Sequence, residues 1–251
     1  MSPYEAILLT IITASTPLLL AAIGELVVER SGVLNLGIEG MMVMGAVCGF
    51  AAAHVSGSAW LGVVAAVLGG VAMSLLFGLL TQTLITNQVA TGLAITLLGL
   101  GLSGLIGNDF VGLPGVKLAN VSIPWLSELP YVGRLVFGQD PLVYVSIGLT
   151  VAVAYGLKYT RWGLIIRAVG QSHSSAHALG YRVIAVRYAC IAFGGATSGL
   201  AGAYLSLVYT PYGWRIWLQA GVGLPWLWWH FLLGCLGVWL PVPICLVACG
   251  Y

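Results

Sequence analysis

The chain has 251 residues, of which 60% are hydrophobic and only 6% charged, with a formal net charge of +2. Its mean hydropathy is +1.03, whereas a soluble domain is about 25% charged and roughly half apolar. So few polar groups cannot cover a surface in water, and so small a charge excludes the basic footprint of a nucleic-acid partner.

The solvent is therefore a bilayer, in which a spanning helix needs about 20 apolar residues. The first apolar run, about Tyr4 to Ile23, has no basic leader or small-residue cleavage site and is expected to be a retained span. The second, about Val33 to Ala53, is entered through ERSGVLNLGIEGMMVMGA, residues 29–46, which sets Glu29, Arg30, Asn35 and Glu39 among apolar residues and glycines. An ionisable group inside a span costs on the order of 2.5 to 3.5 kcal/mol on insertion scales, so it faces a bundle interior or a wet cavity. Glu29 and Arg30 can sit at the inner interface. Asn35 and Glu39 have apolar residues on both sides, and Gly32, Gly37 and Gly40 weaken the helix around them. That pattern predicts a broken second span lining a transport path. Pairing of Glu39 with a polar group on a neighbouring helix is the other role that fits.

The third and fourth spans, about Ala59 to Ile85 and Val89 to Gly107, are joined by a short polar connection. Asn87, Gln88 and Thr91 there either cap the fourth helix, which Asn does well, or line the path as groups able to hydrogen-bond a sugar or base. Gly101, Gly104 and Gly107 predict a close helix contact. An irregular stretch from Asn108 to Asp140 follows, with Lys117 and Arg134 against Asp109, Glu128 and Asp140. The fifth and sixth spans are about Leu142 to Leu157 and Tyr188 to Val208. Between them lie Lys158, Arg161, Arg167, Arg182 and Arg187 and no acid. An excess of Lys and Arg places this loop in the cytoplasm. Counting back, the Asn108 to Asp140 loop is outside, residues 86–88 inside, the His54 to Ser58 turn outside, Arg30 inside and the N-terminus outside.

The five cysteines (Cys48, Cys190, Cys235, Cys245 and Cys249) show no CxxC or His/Cys metal spacing and read as small buried hydrophobes. His173 and His177 stand at i and i+4, but no further His, Cys or carboxylate lies near them in sequence to complete a metal site. There is no GxxxxGK[ST] phosphate loop. An energy source for transport, if ATP, has to come from another subunit. An intramembrane enzyme would need converging acid, base or nucleophile groups, and Glu39 has no evident His or Cys partner.

The stretch RWGLIIRAVGQSHSSAHALGYRVIAVRYACIAFGG, residues 161–195, resembles the cytoplasmic loop of ABC importer permeases. Arg167, Gly170 and Gln171, followed by Ala176 and Gly180, match the pattern of the branched-chain amino acid, ribose and nucleoside permeases. GELVVERSGVLNLGIEGMMVMGA, NQVATGLAITLLGLGLSGLIG and the segment 112–144 look closest to the nucleoside, or simple-sugar, branch. The resemblance covers about Thr16 to Pro211. It implies an all-α polytopic membrane protein: a helical bundle with a cytoplasmic coupling helix that docks on an ATPase subunit. Ser172 can N-cap that helix, and the coupling set is Arg167, Gly170, Gln171, Ser172, Ser174, Ala176 and Gly180. The sequence departs from the family at Ser172-His173-Ser174, where an acidic residue and a proline are common.

The implied function is the membrane-spanning subunit of an ATP-driven importer of a nucleoside or simple sugar in the bacterial cell membrane. The implied partners are an ABC ATPase, a second permease forming a heterodimer, and an extracytoplasmic substrate-binding lipoprotein or periplasmic protein. The chain itself would bind no cofactor, with ATP and Mg on the ATPase. An ion-coupled secondary transporter, or a permease for another small polar solute such as a branched-chain amino acid, are the alternatives. A secondary transporter shares broken helices and intramembrane carboxylates but has no need of the 167–180 block.

After Pro211 the composition changes. Trp214, Trp217, Trp226, Trp228, Trp229 and Trp239 and three of the five cysteines crowd into residues 212–251. The resemblance is expected to stop there, dividing the chain into a permease domain, 1–211, and an atypical tail, 212–251, that is either the product of a shifted reading frame with a premature end or an unusual native terminal helix.

Overall fold

The computed structural model describes residues 3–110, 113, 115, 116, 118 and 138–209, all within one compact unit, Met1–Trp214. Most of the loop expected outside the membrane and the Trp-rich tail, 212–251, lie outside the described residues. Helix α1 is Pro3–Arg30, α2 Ile38–Ser56 and α3 Ala59–Gly78, the last extended by a π turn, Leu79–Thr83. Helix α4, Gln88–Gly107, runs into a short 3-10 turn, Asn108–Phe110. Then follow α5, Pro141–Tyr159; α6, Arg161–Gln171; α7, His173–Ala178; and α8, Val183–Tyr204, which ends in a second π turn, Leu205–Tyr209. Among the described residues there is no strand.

Six segments are long and apolar enough to cross a bilayer: Leu9–Arg30, Ile38–Ser56, Ala59–Thr83, Gln88–Phe110, Pro141–Tyr159 and Val183–Val208. They are the six expected spans, and the fold is that of an all-α, multi-pass membrane protein. The boundaries differ where helix propensity outruns hydropathy. Helix α1 continues to Arg30 because Glu25, Leu26, Glu29 and Arg30 form helix well even where the apolar run fades. The second span is not interrupted within its helix: the break is an elbow, residues 31–37, ahead of an unbroken α2.

Helix α8 packs on α1, α2 and α3, and α2 packs also on α3 and α4. Lipid gives no hydrophobic force between spanning helices, so association depends on close packing of small residues. A Cβ on Gly202 would land on the Met42 carbonyl, and one on Gly70 on the Gly195 carbonyl. A Cβ on Gly45 would come within 2.8 Å of the Gly199 Cα. The α2–α4 contact uses Gly40 and Gly99, where a Cβ on Gly99 would lie 2.5 Å from the Gly40 oxygen. This corrects the expected contact at Gly101 and Gly104, whose Cβ positions meet no atom within 4 Å. Those two glycines fall on the opposite side of α4 from Gly92, Gly99 and Gly107, which are buried. Buried hydroxyls in the core close on their own helices: Ser198 donates to the Gly194 carbonyl at 2.7 Å and Ser146 to Val143 at 2.7 Å.

Candidate functional site at the elbow and the basic loop

The elbow begins where α1 ends. Gly32 takes φ +81, its N–H donates to the Glu29 carbonyl at 2.9 Å, and the Val33 N–H reaches back to Val28 at 3.4 Å. This is a Schellman cap, with glycine at the left-handed position. Beyond it the backbone is not helical, and its polar groups need partners because lipid offers none. Each partner comes from a different place. Leu34 N–H donates to Gln88 Oε1 of α4 at 2.9 Å. Asn35 N–H donates to Glu25 Oε1 of α1 at 3.2 Å. The Leu36 carbonyl accepts from the Thr96 hydroxyl of α4 at 3.1 Å. The Ser31 carbonyl accepts from Arg187 Nε of α8 at 3.3 Å, and the same guanidinium reaches Gln82 at the end of α3 at 3.4 Å.

Most of the residues expected on a solute path are engaged locally. Asn35 is 1% exposed; its Oδ1 accepts from Gly37 N–H at 2.9 Å, starting α2, and its Nδ2 points at Met41 Sδ. Asn87 caps α4, accepting from Val89 N–H at 3.0 Å and Ala90 N–H at 3.3 Å. Thr91 is buried and shares a hydrogen bond with Thr86 at 2.9 Å. Gln88 holds the elbow as described. Glu39 differs. It sits in the first turn of α2 on a half-buried stripe with Leu36 and Val43, and none of the described residues partners it.

Composition did not single out Glu25, Gln82, Thr96 and Arg187. Glu25 is only 7% exposed, and its Oε2 has no hydrogen-bond partner among the described residues. The signal was available, since a carboxylate five residues before the end of a 22-residue apolar span is costly in the same way as Glu39. Arg187 counted toward the basic loop as a charge, while its hydrogen bonds depend on where α1 and α3 end.

The loop between α5 and α8 is built of two short helices, α6 and α7, that meet at Ser172. Thr160 caps α6, its hydroxyl accepting from Gly163 N–H at 3.3 Å. Arg167 Nε donates back to the Gly163 carbonyl at 3.3 Å. Gly170, in the last turn of α6, lies against the elbow: a Cβ there would meet the Arg30 carbonyl oxygen, with Gly32 N at 3.2 Å. Gln171 is exposed and ends α6. Ser172 caps α7 by accepting from Ser175 N–H at 3.3 Å. Helix α7 closes on a second Schellman cap at Gly180, φ +84, with Gly180 N–H to His177 at 2.9 Å and Tyr181 N–H to Ala176 at 3.2 Å. Ala176 is 1% exposed and packs with Val169 and Val183. It shapes the inner face of α7, so the surface offered outward is His173, Ser174, Ser175 and His177, all exposed. Among the described residues no three His, Cys, Asp or Glu side chains gather as a metal site.

Elbow, connection 84–87 and basic loop therefore meet at one end of the bundle, the end that the Lys and Arg excess assigns to the cytoplasm. Residues 7–249 match the family described as the permease component of branched-chain amino acid transport systems. The match runs beyond Pro211, so the likeness does not stop where composition changes. A putative glucose ABC transporter permease protein of Haloferax volcanii is 36% identical over 232 residues, covering 90% of this chain and 69% of the relative. A nucleoside ABC transporter permease protein of Lactococcus lactis is 30% identical over 210 residues, covering 79% of this chain and 66% of the relative. A guanosine ABC transporter permease protein of Bacillus subtilis is 31% identical over 206 residues, covering 75% and 63%. The chain thus spans about two thirds of the length of each of these relatives. No solved structure matches it. A glycine-packed bundle of six spans, carrying a short capped helix on a basic loop at one end, is in this chain the architecture of an ABC permease, and the chain belongs to the family of permease components of branched-chain amino acid transport systems.

Proposed function

We propose that this chain forms, with a second permease subunit, the membrane path of an ATP-driven importer for a nucleoside or simple sugar. The observation that carries the coupling half of this reading is α7: a helix of six residues, capped at both ends, whose inner face is anchored by Ala176 while its outer face is polar and exposed. Such an element fits a cleft on an ATPase subunit, which would hold ATP and Mg. Gly170 backs α6, the helix that leads into α7, directly onto the elbow, so displacement of α7 reaches α2. Glu39, on the half-buried face of α2, is the residue proposed for the solute path, where it would accept hydrogen bonds from solute hydroxyls. A binding protein would deliver the solute to the opposite end. The glucose and nucleoside named for the relatives support a polyhydroxylated, uncharged solute over a branched-chain amino acid.

The test is uptake of labelled glucose and guanosine by proteoliposomes holding this chain with the ATPase, permease and binding protein encoded beside it. Ser174→Cys is expected to crosslink to the ATPase, and Glu39→Gln to lower uptake without changing insertion. Uptake driven by an ion gradient without ATP, with no crosslink from Ser174→Cys, would overturn the reading.

A further inference from the structure

A cavity of about 310 Å³ opens between α1, α5, α6 and α8, close to the corner where α5 turns into α6. Its wall includes Val27, Val153, Leu157, Ile166, Cys190 and Phe193. The polar atoms that do reach it are already used: the Thr160 hydroxyl donates to the Gly156 carbonyl at 2.5 Å and accepts from Gly163 N–H. An occupant would meet an almost wholly apolar wall. A polar solute has no reason to enter.

The surroundings specify the occupant further. Helix α5 is the least covered of the six spans, with Val151 and Tyr155 exposed on it, so the cavity adjoins the lipid-facing side of the bundle. Helix α6 is amphipathic and carries Trp162, 72% exposed, beside the cavity, as residues at a membrane interface do. Lys158 and Arg161 immediately flank the lining residues Leu157, Thr160 and Trp162. Arg167 folds back to Gly163, which also lines the cavity. No acid occurs between Lys158 and Arg187; Glu29 is exposed at the far end of α6, where Gly170 meets the end of α1. An apolar cavity whose lining is flanked in sequence by Lys158, whose ammonium lies over the Tyr159 ring, and Arg161, with Arg167 bonded to the lining residue Gly163, is complementary to a lipid with an anionic head.

We infer that this cavity is a binding site for an anionic phospholipid of the inner leaflet, one acyl chain lying between α5 and α8 and the phosphate held by Lys158, Arg161 and Arg167. The lipid would brace α6 from the side opposite the elbow. The inference does not depend on the solute or on the ATPase.

The glycine geometry supplies the test. A Cβ on Gly156 meets no atom within 4 Å, so Gly156→Phe fills the cavity without striking the protein. Gly148 on the same helix is equally open but lies away from the cavity, so Gly148→Phe is the control. The purified chain is equilibrated in nanodiscs of equal phosphatidylglycerol and phosphatidylcholine, released into mild detergent, and its retained lipids are counted by native mass spectrometry. The wild type and Gly148→Phe are expected to retain phosphatidylglycerol preferentially, and Gly156→Phe to lose it. Lys158→Gln with Arg161→Gln leaves the cavity open and is expected to lose about fivefold in preference per cation removed. Circular dichroism checks that each variant is folded, and the charge variants carry the test alone if Gly156→Phe is not. A wild-type lipid ratio equal to that of the nanodisc, or an unchanged ratio in the charge variants, would overturn the proposal. So would retention by folded Gly156→Phe of as much phosphatidylglycerol as Gly148→Phe retains.

Discussion

Gly170→Ala is the substitution that most directly probes transmission from the coupling loop to the bundle. The new Cβ would fall on the carbonyl oxygen of Arg30, 3.1 Å from its carbon and 3.2 Å from the nitrogen of Gly32. Those atoms are backbone, and both belong to a cap that fixes the end of α1, so no side chain can rotate away. Overpacking of this kind costs about 1–3 kcal/mol, and replacing glycine within a helix returns about 0.5–1 kcal/mol of that. The expected net loss is about 0.5–2 kcal/mol, small enough for the chain to insert and fold. The functional loss should be larger. Helix α6 has to lift off the elbow by about 1 Å, a displacement that in positioned active sites costs about 10²-fold in rate. Coupled uptake in proteoliposomes is expected to fall by about tenfold or more, while basal ATP hydrolysis by the assembled complex continues. Gly101→Ala, whose Cβ meets nothing, runs beside it and should transport normally with equal or slightly higher thermal stability. Uptake by Gly170→Ala within about twofold of wild type would refute the idea that α6 bears on the elbow at this contact.

Glu25→Gln keeps an acceptor for the Asn35 N–H and replaces a buried ionisable group with a neutral one of the same shape, so a melting temperature equal to or above wild type is expected. Glu25→Leu strands that N–H and should cost about 1–3 kcal/mol in chemical denaturation. Gly202→Ala drives a Cβ into the Met42 carbonyl between α2 and α8 and is expected to destabilise by about 1–3 kcal/mol, read as a lower detergent melting temperature. Asn87→Ala removes the acceptor for two N–H groups of α4 and should cost about 0.5–2 kcal/mol, whereas Asn87→Asp should restore most of it.

What could be read without coordinates follows from which forces act locally. The six spans were legible because each is decided by its own run of apolar residues, independent of its neighbours. Helix α7 was legible because a cap is a short-range device: Ser172 and Gly180 bracket it whatever surrounds them. Gly101 and Gly104 misled because a glycine records only that close approach is possible. Which side of α4 meets α2 is set by Gly40 and Gly99 together, and no property of α4 alone contains that. The surroundings of Asn35 were likewise not legible in its own sequence neighbourhood. A buried amide in a span suggests a ligand, yet here its acceptor is taken by an N–H two residues away.

The elbow shows why polar residues gather at the inner end of this bundle. A helix satisfies its own backbone, so spanning helices can slide against one another without breaking hydrogen bonds. A non-helical segment cannot, because each N–H and carbonyl depends on a side chain from elsewhere. Residues 31–36 depend on Glu25 of α1, Gln88 and Thr96 of α4, and Arg187 of α8, while Gly170 of α6 closes the cap beneath them. Moving α1, α4 or α8 relative to the others has to exchange or break a hydrogen bond at the elbow. That makes the elbow sensitive to relative helix position in a way that the glycine-packed core is not. A transporter that reorients its spans in response to a docked partner needs such a point, and it needs it beside the docking element. Here Gly170 of α6, the helix that leads into α7, lies against the cap that opens the elbow.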